Sequence, residues 1–178
     1  MLPTPLACLP DLLLPLRARA VDGGDTDFLA RLYFSTRLDL QSTTADPAFV
    51  ASLIAMQQRF QAAGYRIDFP GAGYLVLERN GAPCGRIVVD AREQALRLVD
   101  IALLSEARGQ GVGSHILRAL QGCATQLGLL LTLSVHHSNP KARRLYLALG
   151  FQTSSRDAVS EQMVYSSKSY IRTNDDVE

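Results

Sequence analysis

The chain has 178 residues, 47% of them hydrophobic, and a formal net charge of +1. This length and this apolar content suit one domain with a sizeable core. The near-zero charge, without any stretch in which basic and aromatic residues alternate, argues against nucleic acid as the main partner. No apolar run reaches the ~20 residues that cross a membrane as a helix, so we expect no membrane partner either.

Composition divides the chain into three parts. Residues 1–15 are mostly apolar, but prolines interrupt them and they contain no basic residue. This pattern predicts an extended arm rather than a signal peptide. The arm is expected to pack on the domain itself or on a second subunit. Residues 16–167 are the predicted folded domain, and residues 168–178 are a predicted flexible, acidic tail.

Cysteine usage favours a reducing compartment. The three cysteines, Cys8, Cys84 and Cys123, are odd in number and lack the spacing of metal or redox sites. We therefore expect a cytoplasmic protein without a bound metal, in which each cysteine is a small buried residue.

The first half of the domain predicts a strand, two helices and a hairpin. A strand near 16–21 leads to a helix capped by Asp25, and a second helix begins at Asp46-Pro47 and is expected to end at Gly64. The apolar residues that these helices carry are Phe28, Leu29 and Leu32, then Phe49, Leu53, Met56 and Phe60. Strands over 74–79 and 83–91 flank Asn80-Gly81, a strong hairpin signal.

A glycine-rich turn over 108–113 joins the next strand to a helix. The strand, 96–104, is rich in large aliphatic residues, with Asp100 as the discordant member. The helix has apolar residues every three or four positions from Ile116 to Leu127. Glycines let the backbone approach a ligand, and the first amides of a helix have no internal acceptor. The turn therefore predicts a site for a phosphate or pyrophosphate.

Three chemistries compete for such a turn. A Walker loop needs Gly-Lys-Ser/Thr, which is absent, and a dinucleotide-binding turn needs a third glycine where this chain has Ser114. The third is the pyrophosphate and pantetheine arm of coenzyme A, for which Arg/Gln-x-x-Gly-x-Gly is the expected pattern. Arg108, Gly111 and Gly113 fill that pattern.

A second motif follows the apolar strand 129–135. Asn139, Ala142, Tyr146, Gly150 and Phe151 occur there in a fixed order, and a final antiparallel pair is predicted near 151–153 and 162–167. With both motifs, the chain resembles the GCN5-related N-acetyltransferase (GNAT) family over roughly residues 16–167. A looser match, in Phe60, Tyr65, Phe69 and Pro70, is to a bacterial branch of that family.

The resemblance implies a fold and a coenzyme site. The order of elements predicts a mixed, mostly antiparallel sheet with helices on both faces. In the family, the parallel strands four and five splay apart and acyl-CoA enters the gap. The residues expected to contact the coenzyme are Ile101, Ala102, Leu103, Arg108, Gly109, Gln110, Gly111, Val112, Gly113, Ser114, Asn139, Ala142, Arg143 and Tyr146.

Acyl transfer to an amine needs a base for the acceptor and a proton donor for the departing thiolate. By resemblance, Tyr146 is the donor. Asp100, a carboxylate in an apolar strand beside the expected cleft, is the first candidate for the base. His136 is the second. A water chain is the third, because this chain has Ser134 where some relatives have a glutamate.

These expectations together predict an N-acetyltransferase that moves an acetyl group from acetyl-CoA to a primary amine of a small molecule or peptide by direct transfer. One alternative is a catalytically idle acyl-CoA-binding protein that acts as a sensor or assembly subunit. Another is a transferase for a longer acyl chain, which the small Ala102 and Ala148 do not exclude.

The acceptor pocket is predicted to form between the first two helices and the segment 65–73. The polar residues available there are Tyr33, Arg37, Tyr65, Arg66 and Asp68. This mixture suits an amino acid, a polyamine, an antibiotic amine or a peptide terminus. Pairing of edge strands would offer a route to a homodimer.

Overall fold

The computed structural model describes residues 6, 7, 9 and 13–167. Cys8 and the predicted C-terminal tail, 168–178, lie outside the described residues. The strands are β1 (Arg17–Ala20), β2 (Gly73–Arg79), β3 (Ala82–Ala91), β4 (Ala95–Leu103), β5 (Leu130–His136), β6 (Gln152–Arg156) and β7 (Ser160–Tyr165). The helices are α1 (Thr26–Thr36), α2 (Leu38–Gln41), α3 (Pro47–Asp68), α4 (Val112–Leu127) and α5 (Pro140–Ala148).

One seven-stranded sheet organises the chain, in the order β1-β2-β3-β4-β5-β7-β6. The neighbours β4 and β5 are parallel, and every other neighbouring pair is antiparallel. The parallel connection passes through α4, as a crossover between parallel strands requires. The predicted mixed, mostly antiparallel sheet is therefore confirmed.

Helices cover both faces of this sheet because successive strand residues point to opposite sides. Leu75, Leu77 and Ile87 point to the face covered by α4, where they join the largest cluster of buried apolar residues. Val76 points to the other face and packs against Phe28 and Leu32 of α1. The two faces are called below the α4 face and the α1 face.

The N-terminal arm belongs to the core on the α4 face. Leu6, Leu9 and Leu13 are almost completely buried in the same apolar cluster as α4. Nε2 of His115 in α4 lies 2.9 Å from the carbonyl oxygen of Leu13, and since a carbonyl only accepts, the ring nitrogen donates this bond. The described part of the arm thus packs on its own domain.

Helix α3 differs from its prediction in length and in the face that it buries. The helix continues past Gly64 to Asp68, because a glycine inside a helix lowers the stability of the helix but does not end it. Its buried residues are Val50 and Ile54, which pack on Tyr33 of α1. Three of the four predicted apolar residues point outward instead, since Phe49 is 62% exposed, Met56 42% and Phe60 71%, whereas Leu53 is half-buried.

The cap of α1 also differs from its prediction. Asp25 occupies the N-cap position, but its carboxylate makes no cap bond to the helix. It accepts two hydrogen bonds of 2.7 Å from Arg19 and one of 2.9 Å from the backbone of Asp22. Asp25 therefore ties the start of α1 to strand β1. The short helical turn before α1 is capped by Asp22, which accepts from Gly24.

A β-bulge in β4 decides which way Asp100 faces. Val88 of β3 pairs with Asp100 and Val89 pairs with Leu98, so Val99 is the extra residue. Leu96 and Leu98 point into the core on the α4 face. Without the bulge, alternation would send Asp100 into the same core. The inserted residue turns Asp100 toward the α1 face and brings Ile101 and Leu103 back to the α4 side.

Candidate active site between strands β4 and β5

The two parallel strands separate halfway along their length. Their ladder runs from Ala95 opposite Leu130 to Leu98 opposite Leu133 and stops there, although both strands continue. Beyond this point β4 pairs, within the described residues, only with β3, so one edge of its backbone has no described strand partner. A cavity of about 160 Å³, called here the gap cavity, occupies the separation and is lined by residues 98–101, 133–136, Asn139 and Tyr146.

Tyr146 of α5 reaches the gap cavity with a protonated hydroxyl. The residue is 7% exposed, and its ring lies 5.8 Å from that of Phe151, centroid to centroid. Burial, and then the negative charge of Asp100, raise the pKa of Tyr146 to about 12. Among the described residues the hydroxyl has no hydrogen-bond partner, so it is available to donate to a group inside the cavity.

Asp100 lines the same cavity but is ion-paired. Its Oδ2 accepts from Nη2 of Arg86 at 2.5 Å, and its Oδ1 accepts from the Tyr65 hydroxyl at 3.5 Å. Nη2 of Arg86 also lies 3.4 Å from Oε1 of Gln61. Burial and the Asp100 charge raise the pKa of Tyr65, which keeps that phenol protonated. The predicted base therefore belongs to a network that joins β3, β4 and α3.

His136 lies at the rim of the gap cavity with one ring nitrogen already engaged. Its Nδ1 accepts a hydrogen bond from the backbone N–H of Ser138 at 3.2 Å, and the Ser138 hydroxyl lies 2.6 Å from the same nitrogen. A backbone N–H can only donate, so in the neutral ring the proton sits on Nε2. In this tautomer Nε2 is a donor, and the acceptor nitrogen, Nδ1, is already hydrogen-bonded.

Asn139 caps α5 and faces the gap cavity. Its Oδ1 accepts from the backbone N–H of Ala142 at 3.1 Å, and Pro140 takes the first helical position. The cap accounts for the side-chain carbonyl. The side-chain amide remains for a second contact, so the structural and binding roles predicted for Asn139 are compatible.

The glycine turn presents a row of backbone amides beside this gap. Gly109 and Gly111 have φ of +74° and +78°, values that other residues rarely adopt. The first bond of α4 is donated by His115 to the Gly111 carbonyl, at 2.9 Å. The amides of residues 112–114 precede that bond and have no acceptor within the helix. The turn can therefore bind an anion through its backbone.

The polar side chains of the turn hold it in place. Arg108 donates through Nε to the Leu103 carbonyl (2.8 Å) and through Nη2 to the carbonyl and hydroxyl of Ser35 (3.2 Å each). Gln110 donates to the Glu106 carbonyl and accepts from Arg79, both at 2.5 Å. These bonds join the turn to β4, to α1 and to the β2–β3 hairpin, so the two side chains shape the backbone that faces an anion.

Arg143 has a different partner from the predicted one. Its Nε donates at 2.8 Å to the buried carboxylate of Glu161 on β7, which also accepts from Thr153 (2.9 Å) and pairs with Arg156 (3.3 Å). The Arg143 bond is the main cause that lowers the pKa of Glu161. This contact accounts for Arg143 structurally, and its contact with a coenzyme stays a prediction.

Two further cavities continue from Asp100 across the α1 face. The first, of about 140 Å³, lies among α1, α3, β3 and β4 and shares Asp100 and Ile101 with the gap cavity. The second, of about 610 Å³, lies between α1 and the second half of α3 and shares Leu29 and Arg86 with the first. They are called here the inner cavity and the outer cavity. Of the predicted acceptor residues, Tyr33 lines the inner one, and Tyr65 and Arg66 line the outer one.

Arg86 and Gln61 are site residues that the sequence reasoning missed. Arg86 is 9% exposed and stands among apolar residues of β3, which also carries Asp90, just as Asp100 stands in β4, which also carries Arg97. Each of the two neighbouring strands thus carries one basic and one acidic residue, which is a signal for an ion pair between the strands. Gln61 carried no such signal, because a glutamine on a long helix is ordinary.

Other features of the described residues bear on cofactors and partners. No three His, Cys, Asp or Glu side chains are grouped there as metal ligands would be. Within the same residues, every helix is too short or too polar to cross a membrane. Cys84 is a half-buried free thiol whose pKa burial raises.

The family model described as "Acetyltransferase (GNAT) family" matches residues 38–151, which is more than half of the chain. The chain belongs to the GNAT family. A Bacillus subtilis (strain 168) protein assigned as a ribosomal-protein-bS18-alanine N-acetyltransferase is 32% identical over 87 residues, 48% of this chain. The chain spans 58% of that protein's length.

Solved structures of other GNAT acetyltransferases share this fold. The PaiA N-acetyltransferase of Thermoplasma acidophilum, in complex with coenzyme A, superimposes with a TM-score of 0.64 at 15% identity, over 85% of this chain and 99% of that one. The ribosomal-protein-S18-alanine N-acetyltransferase of Escherichia coli gives 0.61 at 17% identity, over 85% and 93%. These likenesses show the GNAT fold of the present chain.

The site of this GNAT protein suits coenzyme A on the observations above. The amides at residues 112–114 suit a pyrophosphate, and the free edge of β4 suits the amide groups of a pantetheine arm. The gap cavity at the end of that edge holds the Tyr146 hydroxyl, a donor suited to a thiolate. No acidic side chain lines the turn between Gly109 and Ser114.

Proposed function

We propose that this GNAT protein transfers an acetyl group from acetyl-CoA to a primary amine of a peptide or small molecule by direct transfer. The observation that carries the proposal is the gap cavity. There Tyr146 and Asp100 line one separation between parallel strands, and the turn after β4 offers helix amides without internal acceptors. Acetyl-CoA would supply an acetyl thioester, which an amine can attack without a covalent enzyme intermediate.

The backbone of the chain would hold most of the coenzyme. The amides at residues 110–114 would take the pyrophosphate, and the unpaired edge of β4 at Ile101 and Leu103 would take the pantetheine amides. Asn139 would add its side-chain amide. Because Arg108 and Gln110 bond to neighbouring elements, their contribution would be to keep the turn in shape.

The acceptor would enter from the inner cavity, where Asp100 faces it. An alkyl amine has a pKa of ~10 in water, so it must lose a proton before it attacks. Asp100, through its free lone pairs or through a water, is the group that would take the proton. Tyr65 and Arg86 would hold the Asp100 carboxylate in place. His136 is the weaker candidate because its Nδ1 already accepts from Ser138.

Tyr146 would act on the departing sulfur. Its hydroxyl stays protonated because burial raises the pKa to about 12. A thiol has an ordinary pKa of ~8.5, so the phenol would stabilise the thiolate chiefly by a hydrogen bond. It would yield its proton only as the buried sulfur becomes more basic.

The Bacillus subtilis relative's assigned activity favours a peptide amino terminus as the acceptor.

Calorimetric titration with acetyl-CoA tests the coenzyme half of this proposal. Desulfo-coenzyme A serves as the second ligand and NADH as the negative control. We expect saturable binding of the two coenzyme A compounds and none of NADH. Release of free thiol in the presence of peptide and small-molecule amines tests the transfer. Acetyl-CoA binding without thiol release from any amine would favour the idle acyl-CoA-binding protein, and absence of binding by the folded protein would refute the proposal.

A further inference from the structure

The outer cavity differs in charge from the inner cavity. Asp100 and its ion-pair partner Arg86 both line the inner cavity, whereas the outer cavity has Arg59 and Arg66 in addition to Arg86. None of the described residues that line the outer cavity is an aspartate or glutamate. Arg59 and Arg66 form no ion pair with any described carboxylate. The charges of Arg59 and Arg66 are therefore not compensated by a described carboxylate, whereas that of Arg86 is paired with Asp100.

Two buried donors of the outer cavity also lack partners. Within the described part of the chain, the Tyr74 hydroxyl and Nε of Arg86 are buried without a hydrogen bond. Both residues line the outer cavity, and Arg86 is 9% exposed. Arg66, Arg86 and Tyr74 line this same cavity. Buried polar groups without partners are rare and costly, so they indicate a missing acceptor.

Apolar side chains form much of the remaining lining of the outer cavity. They are Val21, Leu29, Ala30 and Ala62, and the neutral polar residues Thr26, Gln58 and Tyr65 complete it. Such walls favour an acceptor that costs little to desolvate, and a singly charged carboxylate costs less than a doubly charged phosphate. A carboxylate also matches the planar donor arrangement of an arginine. Its two oxygens accept hydrogen bonds and never donate, as the unpartnered donors require.

We propose that the outer cavity binds a carboxylate of the acceptor, so that the substrate is an amine that carries a carboxylate beyond an apolar spacer. This inference rests on the proposed acetyltransferase function. The amine would lie by Asp100 and the carboxylate by Arg66 and Tyr74, with Leu29 and Arg86 between the two cavities. The carboxylate could belong to the side chain of an acidic peptide residue or to a small amino acid.

Two matched pairs of ligands test the charge preference and separate these sources. The peptide pair is the amide of Ala-Asp against the amide of Ala-Asn. The small-molecule pair is 6-aminohexanoate against 6-aminohexanamide. Calorimetry on the full chain with coenzyme A present measures binding without any reaction. We expect the acidic member of at least one pair to bind at least tenfold more tightly than its neutral partner, and that pair identifies the source.

Two variants locate the preference in the outer cavity. Arg66→Gln removes an exposed charge that lines the cavity and forms no described ion pair, so the fold should persist. Arg118→Gln removes an equally exposed charge from α4, on the opposite face of the sheet. The tenfold preference should fall to less than threefold in Arg66→Gln and stay unchanged in Arg118→Gln.

The outcomes separate this inference from the proposed function. A preference below tenfold in both pairs, including no binding by any of the four ligands, overturns the inference, and so does a preference that survives Arg66→Gln. Thiol release from neutral amines alongside that result would leave the acetyltransferase function standing. Binding that prefers the acidic member, without thiol release from either, would support the carboxylate site and refute the transfer.

Discussion

Replacing Tyr146 by phenylalanine removes the hydroxyl that reaches the gap cavity and keeps the ring that packs on Phe151. The hydroxyl bonds to no described residue, so the free energy of unfolding should change by less than about 1 kcal/mol. With the pKa of Tyr146 raised to about 12, the phenol would mainly donate a hydrogen bond to the thiolate. A hydrogen bond to a charged group contributes about 1.5–3 kcal/mol, which corresponds to a roughly 10- to 150-fold loss in kcat.

Steady-state thiol release gives kcat, and calorimetry gives the Kd for acetyl-CoA. We expect kcat to fall within that range while Kd changes less than twofold. Because the pKa of Tyr146 is raised to about 12, the phenol is almost fully protonated up to pH 10.5, so its ionisation should cause no loss of kcat in the wild-type enzyme between pH 8 and pH 10.5.

Tyr165→Phe is the matched control. Tyr165 packs on the other side of Phe151, with 5.8 Å between ring centroids, but does not line the gap cavity. Its substitution should leave kcat unchanged. An unchanged kcat in Tyr146→Phe, or a loss of acetyl-CoA affinity as large as the loss of kcat, would refute the role given to the hydroxyl.

Three further predictions concern stability. A Cβ at Gly85 would lie 2.5 Å from Cδ2 of Leu103 and 2.7 Å from the Ala102 carbonyl oxygen. Gly85→Ala should therefore lower the free energy of unfolding, measured in urea, by about 1–3 kcal/mol and weaken acetyl-CoA binding. Gly64→Ala is the control, because the space around Gly64 is open. Arg19 lowers the pKa of Asp25 to about 2, from an ordinary 3.8. Asp25→Asn should therefore lower the free energy of unfolding by about 1 kcal/mol at pH 7, since solvent partly screens Arg19. The difference in stability between the two proteins should disappear as the pH falls from about 4 through 2. A difference that stays constant at all pH values would contradict this prediction. Leu13→Ala should lower the free energy of unfolding by about 2–5 kcal/mol, because Leu13 is part of the core. Leu14→Ala is the control, because Leu14 is exposed. Equal melting temperatures of the two variants would count against the packing of the arm.

Local signals predicted most of the elements and the family. Asn80-Gly81 forms the hairpin turn with both residues at positive φ, and Asp46-Pro47 starts α3 as predicted. Such signals act through backbone conformation and capping bonds within a few residues, so they can be recognised without knowing the fold. The glycine turn and the motif from Asn139 to Phe151 were recognisable for the same reason.

The orientation of α3 could not be predicted from its own sequence. Phe49, Leu53, Met56 and Phe60 follow a helical repeat that normally marks a buried face. In the structure α3 packs on α1 through Val50 and Ile54, with Tyr33 between them. Which face a helix buries depends on the elements that it meets, and those lie elsewhere in the chain.

The sequence by itself determined the family, the order of the elements and the backbone turn suited to an anion, because these depend on residues close together along the chain. Only the tertiary structure decided what surrounds Asp100. The bulge at Val99 turns the carboxylate away from the core, and Arg86, from a neighbouring strand, then pairs with it. The direction of a side chain on a sheet depends on register with the adjacent strand, and register is a contact between distant parts of the chain.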